Sequence, residues 1–98
     1  MKKLVGLIAA AAVLPLGSAG AQDAKPRKVE QYSCKDVMRE QGSNRDVAIA
    51  FLHGFALGKS GGSGFDLGAL HKQSDAFIER CLDNPAERAL DAMTKVKG

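Results

Sequence analysis

The residues that could carry chemistry are few: two cysteines, Cys34 and Cys81, two histidines, His53 and His71, and dispersed carboxylates expected on polar helix faces. The cysteines stand 47 positions apart without a nearby CxxC or CxxH, which makes a poor zinc signature. Neither histidine has another histidine or a cysteine at helical spacing. No serine, cysteine or carboxylate stands in the context of an activated nucleophile. These side chains predict no enzyme, no metal site and no cofactor.

His53 lies in the apolar stretch AFLHGFA, where it could respond to pH, since an ordinary histidine titrates near pH 6.5. The pattern favours the simpler interpretation of a partly exposed surface histidine.

The N-terminus predicts export. A short basic start precedes the apolar run 4–17, which Pro15 interrupts, and small residues favour cleavage before Gln22. The run is too short and too rich in Ala and Gly for a comfortable membrane span, although an uncleaved anchor is the alternative. We therefore expect a signal peptide over 1–21 and no membrane partner for the mature form.

Export and small size together favour a disulfide between Cys34 and Cys81. A mature chain from Gln22 to Gly98 is one domain at most, and such a small domain is only marginally stable without a covalent cross-link. An oxidising compartment makes a disulfide the first interpretation of two cysteines, with free buried thiols or a metal site as alternatives. In the chain-entropy model this loop removes roughly 4 kcal/mol of denatured-state freedom.

The charge balance argues against a nucleic-acid partner. The full chain has 14 Lys and Arg against 11 Asp and Glu, but two of the lysines lie in the predicted signal, so the mature chain is close to neutral. The remaining cations are scattered and form no basic stripe with aromatic residues between them. Below about pH 3 the carboxylates are protonated and the chain becomes strongly cationic.

Helical periodicity predicts an all-α bundle of about four helices, one of them short, after a flexible leader over 22–31. The helices are expected over 33–40, 43–60, 65–84 and 84–98, with a Gly/Ser-rich loop over 59–64. The expected N-caps are Ser33, Ser43 or Asn44, Asp66, and Asn84. In the last helix Pro85 would be the first helical residue and Glu87 would complete the capping pattern.

The spacing of apolar residues predicts which faces are buried. The expected buried stripe of the third helix is Leu67, Leu70, Ser74, Phe77, Ile78 and Cys81. In the second helix Gly54 and Gly58 share a face, which indicates that another backbone approaches there. The alternative is a helix end that frays from Gly58 onward.

Five sequence features over residues 32–93, two of which contain the cysteines, form a combined pattern that we call the cysteine frame. They are Tyr32-Ser33-Cys34, Asp36-Val37, an Ala- and aromatic-containing helix over 48–58, the restart Phe65-Asp66, and Cys81 followed by Asn84-Pro85. This frame resembles the HdeA/HdeB family of small periplasmic acid-stress chaperones. The sequence departs from the best-known members in having Tyr32 where a Trp is familiar and more Gly and Ser after the main helix.

The resemblance implies a helical domain over 32–98 closed by one disulfide, for which Cys34 and Cys81 take the positions. Family members are folded and often dimeric near neutral pH. In strong acid they loosen, expose apolar surface and hold denaturing proteins in solution without ATP. The implied partners are unfolded periplasmic client proteins at low pH and a homodimer at neutral pH. The implied client or dimer surface is Val47, Phe51 and Phe55.

The favoured hypothesis is thus an acid-activated holdase in the periplasm. In acid, protonation of paired carboxylates would lower the stability of the fold, and exposed Phe51, Phe55 and Phe77 would bind clients. The alternative is a periplasmic interaction or immunity-type protein that binds one dedicated partner at neutral pH. The stretch FLHGFALG suits that class, although its members tend to carry more than two cysteines.

Overall fold

The computed structural model describes residues 25–98, so the predicted signal peptide lies outside the described residues. A 3-10 helix, Val29–Gln31, precedes four α-helices. These are α1 (Cys34–Arg39), α2 (Ser43–Lys59), α3 (Leu67–Asp83) and α4 (Ala89–Lys97). Residues 25–98 contain no strand, and Ser33 and Arg88 form an isolated antiparallel bridge. The prediction of a small all-α bundle with four helices is confirmed.

Two of the four predicted N-caps are confirmed and two are wrong, the latter being those of α2 and α4. Ser33 and Asp36 form a complete capping box at α1, and Asp66 accepts hydrogen bonds from the backbone N–H groups at the start of α3. For α2 the N-cap is Gly42, and Ser43 is already the first helical residue. Gly42 has φ +53°, which glycine adopts readily, and this allows the tight turn between α1 and α2.

The last helix begins four residues later than Pro85, because the backbone before it bonds to α1 instead. The N–H groups of Cys34 and Lys35 donate to the carbonyls of Glu87 and Pro85, at 2.8 Å and 3.0 Å. These are first-turn donors that no helix can satisfy internally. Asn84 ends α3 rather than starting α4, and its side chain donates to the carbonyl of Arg80.

The core lies where α1, α3 and α4 meet, with α2 packed on α1 and α4. Its largest fully buried side chains are Phe77, Leu52, Met93, Val37, Cys34 and Cys81. Leu67, expected in the buried stripe, is instead 67% exposed. It lies in the first turn of α3, whereas α4 ends beside Gln73, and α2 diverges from α3, so nothing covers Leu67.

The glycines of α2 do not mark a close helix contact. A Cβ atom placed on Gly54 or Gly58 would meet no atom within 4 Å other than the helix's own backbone. The helix also continues past Gly58 to Lys59, so the frayed end is not seen. Both expectations from the shared glycine face are therefore wrong.

The disulfide between Cys34 and Cys81 is confirmed, since their sulfur atoms are at bonding distance and their Cα atoms lie 4.8 Å apart. The bond joins the first residue of α1 to the buried face of α3. It lies within the core, beside side chains that are themselves inaccessible to solvent.

Candidate functional site

The predicted client surface forms the outer face of α2 (Val47, Phe51 and Phe55). Val47 is 66% exposed, Phe51 is 55% exposed, and Phe55 is half-buried. The positions are four residues apart, so they lie above one another on one side of the helix. The Phe51 and Phe55 ring centroids are 5.7 Å apart. An apolar strip is thus presented to solvent, while Leu52 on the opposite face is fully buried.

A groove of about 350 Å³ extends this face toward the N-terminal segment. Val47 and Phe51 form one wall, and Val29 and Tyr32 contribute apolar surface from the 3-10 helix and the residue after it. The outer face of α2 is therefore part of a wider apolar surface.

A second exposed apolar pair, Phe65 and Leu67, was not predicted as a surface feature. These side chains are 68% and 67% exposed and flank the N-cap Asp66 of α3. They line the cavity described below. The sequence signal that could have predicted this exposed pair is the triplet Phe-Asp-Leu. Two apolar residues on either side of an exposed N-cap cannot both reach the core.

A cavity of about 530 Å³ separates α2 from α3. Its walls are mostly apolar and include Ile49, Leu57, Leu70 and Ile78. Polar side chains also line it, among them His53, Ser74 and Lys97 from three different helices. The two helices thus diverge and leave an open apolar cleft.

His53 is buried, with 6% of its surface exposed, so the expectation of a partly exposed histidine is wrong. Its Nε2 lies 2.8 Å from Ser74 Oγ, and its Nδ1 lies 3.3 Å from Lys97 Nζ. Burial, followed by the charge of Lys97, lowers the pKa of His53 below the usual 6.5. The sequence could not show this burial, because both partner side chains come from other helices.

Two carboxylates are paired rather than dispersed. Glu87 accepts hydrogen bonds from Arg80 at 2.7 Å and 3.0 Å, and from Lys95 at 2.7 Å. The Arg80 hydrogen bond, with that from Lys95, lowers the pKa of Glu87 to about 2. The contacts join α3 to α4 through the segment between them.

Glu40 is the second paired carboxylate. Arg27 donates two hydrogen bonds to it, at 2.7 Å and 2.8 Å, and the Tyr32 hydroxyl donates a third at 2.5 Å. These hydrogen bonds lower the pKa of Glu40, and those from Arg27 have the largest effect. Burial raises the pKa of Tyr32. The contacts tie the N-terminal segment to the end of α1.

The arrangement as a whole is a disulfide-closed bundle with exposed apolar surface and acid-sensitive charge pairs. A sequence model of the HdeA/HdeB family matches residues 4–91. The chain belongs to the HdeA/HdeB family. HdeA/HdeB proteins are acid-stress chaperones of the periplasm, so the resemblance in the cysteine frame is confirmed. Comparisons with curated proteins and with solved structures gave no significant match.

The described part of this HdeA/HdeB chain offers no cluster of three Cys, His or carboxylate side chains that could bind a metal ion. Within residues 25–98 no helix has the length and hydropathy needed to cross a bilayer.

Proposed function

We propose that this protein is an ATP-independent acid-stress holdase of the periplasm. It loosens at low pH and binds denaturing proteins through apolar helix faces. The observation that carries the proposal is the outer face of α2, where Val47 and Phe51 are exposed on a helix that belongs to an acid-sensitive bundle. Its clients are unfolded proteins rather than one folded partner, because the exposed side chains of this face form a shallow apolar strip.

Acid removes stabilising contacts from the folded state. The pKa of Glu87 is about 2 in the fold against 4.5 ordinarily, so its ion pairs stabilise the fold above pH 4.5. That stability is lost as the pH falls from about 4.5 toward 2, and Glu40 acts in the same direction. The growing positive charge adds repulsion within the chain.

Opening of the bundle then exposes apolar side chains that are buried in the closed state, and these enlarge the apolar surface on α2. Phe77 and Leu52 are fully buried in the closed state and become available when the helices separate. The Cys34–Cys81 bond survives acid and keeps α1 on α3, so the opened chain remains compact enough to close again.

At neutral pH the outer face of α2 is the surface on which a homodimer would form. A dimer there would cover Val47 and Phe51 and release them when acid dissociates it. The predicted signal peptide places the mature chain in the periplasm, where acid reaches proteins directly.

The test is suppression of aggregation at pH 2–3. An aggregation-prone enzyme is acidified with and without the mature, oxidised protein, and light scattering is followed. We expect the wild-type protein to suppress scattering and the double variant V47S/F51S to need several-fold more protein for the same effect.

The matched control is Leu82→Ser, which removes an exposed apolar side chain from α3 and leaves the outer face of α2 intact. L82S should suppress scattering as well as the wild type does. No suppression by the wild type at molar excess would contradict the holdase function. Equal losses in both variants would contradict the assignment of the surface.

The cleft between α2 and α3 favours a second candidate, an interaction or immunity-type protein with one dedicated partner. Phe65 and Leu67 are exposed at a cavity that is open in the folded state. A pull-down from periplasmic extract at pH 7 that yields one stoichiometric partner, lost in F65S/L67S, would support this function instead.

A further inference from the structure

The helix α2 is attached differently from the other three. Backbone hydrogen bonds hold α1 to the segment before α4, including Ala89 N to Tyr32 O at 2.9 Å, and the disulfide joins α1 to α3. Within residues 25–98 no backbone hydrogen bond joins α2 to another helix. It is held by buried side chains, by the Arg45 guanidinium on the Met38 carbonyl at 2.8 Å, and by the contacts of His53.

The contacts of His53 define its protonation state. An ammonium group has only donors, so Lys97 Nζ must donate to Nδ1, which therefore carries no proton. The ring proton then lies on Nε2 and is donated to Ser74 Oγ, 2.8 Å away. Lys97 also donates to Gln73 Oε1 at 3.0 Å. Neutral His53 is thus fully paired between α3 and α4.

A second proton on the ring breaks this arrangement. Nδ1 would then be a donor facing the donor Nζ of Lys97, with two positive charges in contact at a largely buried position. Neither group can turn the contact into a hydrogen bond. Separation of α2 from α4 relieves this repulsion, whereas movement of the Lys97 side chain alone would relieve it without any change in the protection of α2.

The other charged groups near the ring do not offset this repulsion. From α4 only Lys97 lines the cavity, from α3 His71 and Asp75 do, and from α2 itself Asp46 does. Neither carboxylate forms an ion pair with His53 in the part of the chain that the structure describes. His71 is exposed to solvent.

We propose that the His53–Lys97 contact is a proton-operated switch that releases α2 in mild acid, while α1, α3 and α4 remain assembled. The opening would swing out the helix that carries Val47 and Phe51. As a trigger for the proposed holdase it rests on that function, but the opening itself is measured without any client.

The pH range over which α2 opens follows from the direction in which the pKa of His53 is shifted. The folded pKa of His53 is lowered from 6.5, so the released state takes up a proton more readily than the closed state. Closure of α2 therefore weakens as the pH falls below about 6.5, and the loss is complete once the pH passes the lowered folded pKa. Glu87, with its pKa near 2, keeps α3 and α4 joined over much of that range.

The test is amide hydrogen exchange resolved by segment, on the mature oxidised protein between pH 7 and pH 4.5. After correction for intrinsic exchange, protection in α2 should fall below pH 6.5, by at most tenfold per pH unit for one proton, until the folded pKa is reached. Protection in α3 and α4 should change little. The variant H53Q, whose amide can accept from Lys97 and donate to Ser74, should lose this pH dependence.

The matched control is H71Q, which removes the exposed histidine of α3 and should behave as wild type. Should H53Q fail to fold, NMR titration of the wild-type ring is decisive: the pKa of His53 should lie below the ordinary 6.5, and K97M should raise it toward that value. Three results would overturn the proposal: protection lost equally from all helices, the same pH dependence of α2 protection in H53Q as in the wild type, or a His53 pKa at or above 6.5. Loss of holdase activity alone would leave the switch in place.

Discussion

At the scale of single residues, Glu87 has the largest acid-linked role among the paired carboxylates. Its side chain is 15% exposed and bonds to both Arg80 and Lys95, so one protonation removes two ion pairs. Its backbone carbonyl also accepts from Cys34 N. Side-chain charge and backbone position therefore act at the same junction of α1, α3 and α4.

We predict that Glu87→Gln destabilises the protein by about 1–2 kcal/mol at pH 7, less than the pKa shift alone suggests, because the partners are partly exposed and solvent screens them. The difference from wild type should shrink as the pH falls from 4.5 toward 2. Urea unfolding followed by circular dichroism at several pH values measures this. The control is E79Q, which replaces an exposed carboxylate on α3. A difference in unfolding free energy between E87Q and wild type that does not change with pH would contradict the link between Glu87 protonation and stability.

At the scale of elements, α2 is long but internally weakened. It contains Gly54 and Gly58, each of which costs about 1 kcal/mol relative to alanine in a helix. Neither glycine is required by packing, since a Cβ would meet no atom outside the helix's own backbone at either position. A helix that must detach in acid is well served by low intrinsic stability, which offers a physical reason for the two residues.

We predict that Gly54→Ala and Gly58→Ala each stabilise the fold by about 0.5–1 kcal/mol at neutral pH. Both should also shift the opening of α2 to lower pH, because the closed state gains stability. Thermal unfolding and segment-resolved hydrogen exchange check the two effects. The contrasting control is G42A, which should destabilise, because φ +53° is strained for an L-residue; destabilisation by G54A as well would reveal a contact that the structure lacks.

At the scale of the whole molecule, one covalent bond and one backbone junction hold α1, α3 and α4 together. The disulfide closes a loop of 47 residues that contains all of α2. The proposed opening of α2 would therefore happen within a closed loop and would not separate the remaining helices. This architecture suits a chaperone that must open and refold repeatedly without an energy source.

We predict that reduction of Cys34–Cys81 destabilises the fold by roughly 4 kcal/mol in the chain-entropy model. Reduced protein should unfold in one step on acidification and recover slowly after neutralisation, whereas oxidised protein should recover fully. Circular dichroism and apolar-dye binding from pH 7 to pH 2 and back measure both. Equal recovery of the two forms would show that the bond does not limit the opening.

How much could be predicted from the sequence depends on the range of the interactions. The capping box at Ser33 and the N-cap at Asp66 are local, and both were predicted correctly. The start of α4 was wrong, because Pro85 and Glu87 use their carbonyls for α1 rather than for a helix of their own. The burial of His53 was missed for the same reason, since its partners are distant in sequence.

The sequence by itself determined the helical class, the cysteine pairing and the family, because periodicity, caps and the cysteine frame are properties of short segments and their order. Only the tertiary structure decided which side chains meet. It brought Lys97 to His53, paired Glu87 with two cations, and left Phe65 and Leu67 uncovered. The physical reason is that pKa values and exposure depend on three-dimensional neighbours, and helix packing selects those neighbours from residues far apart in the chain.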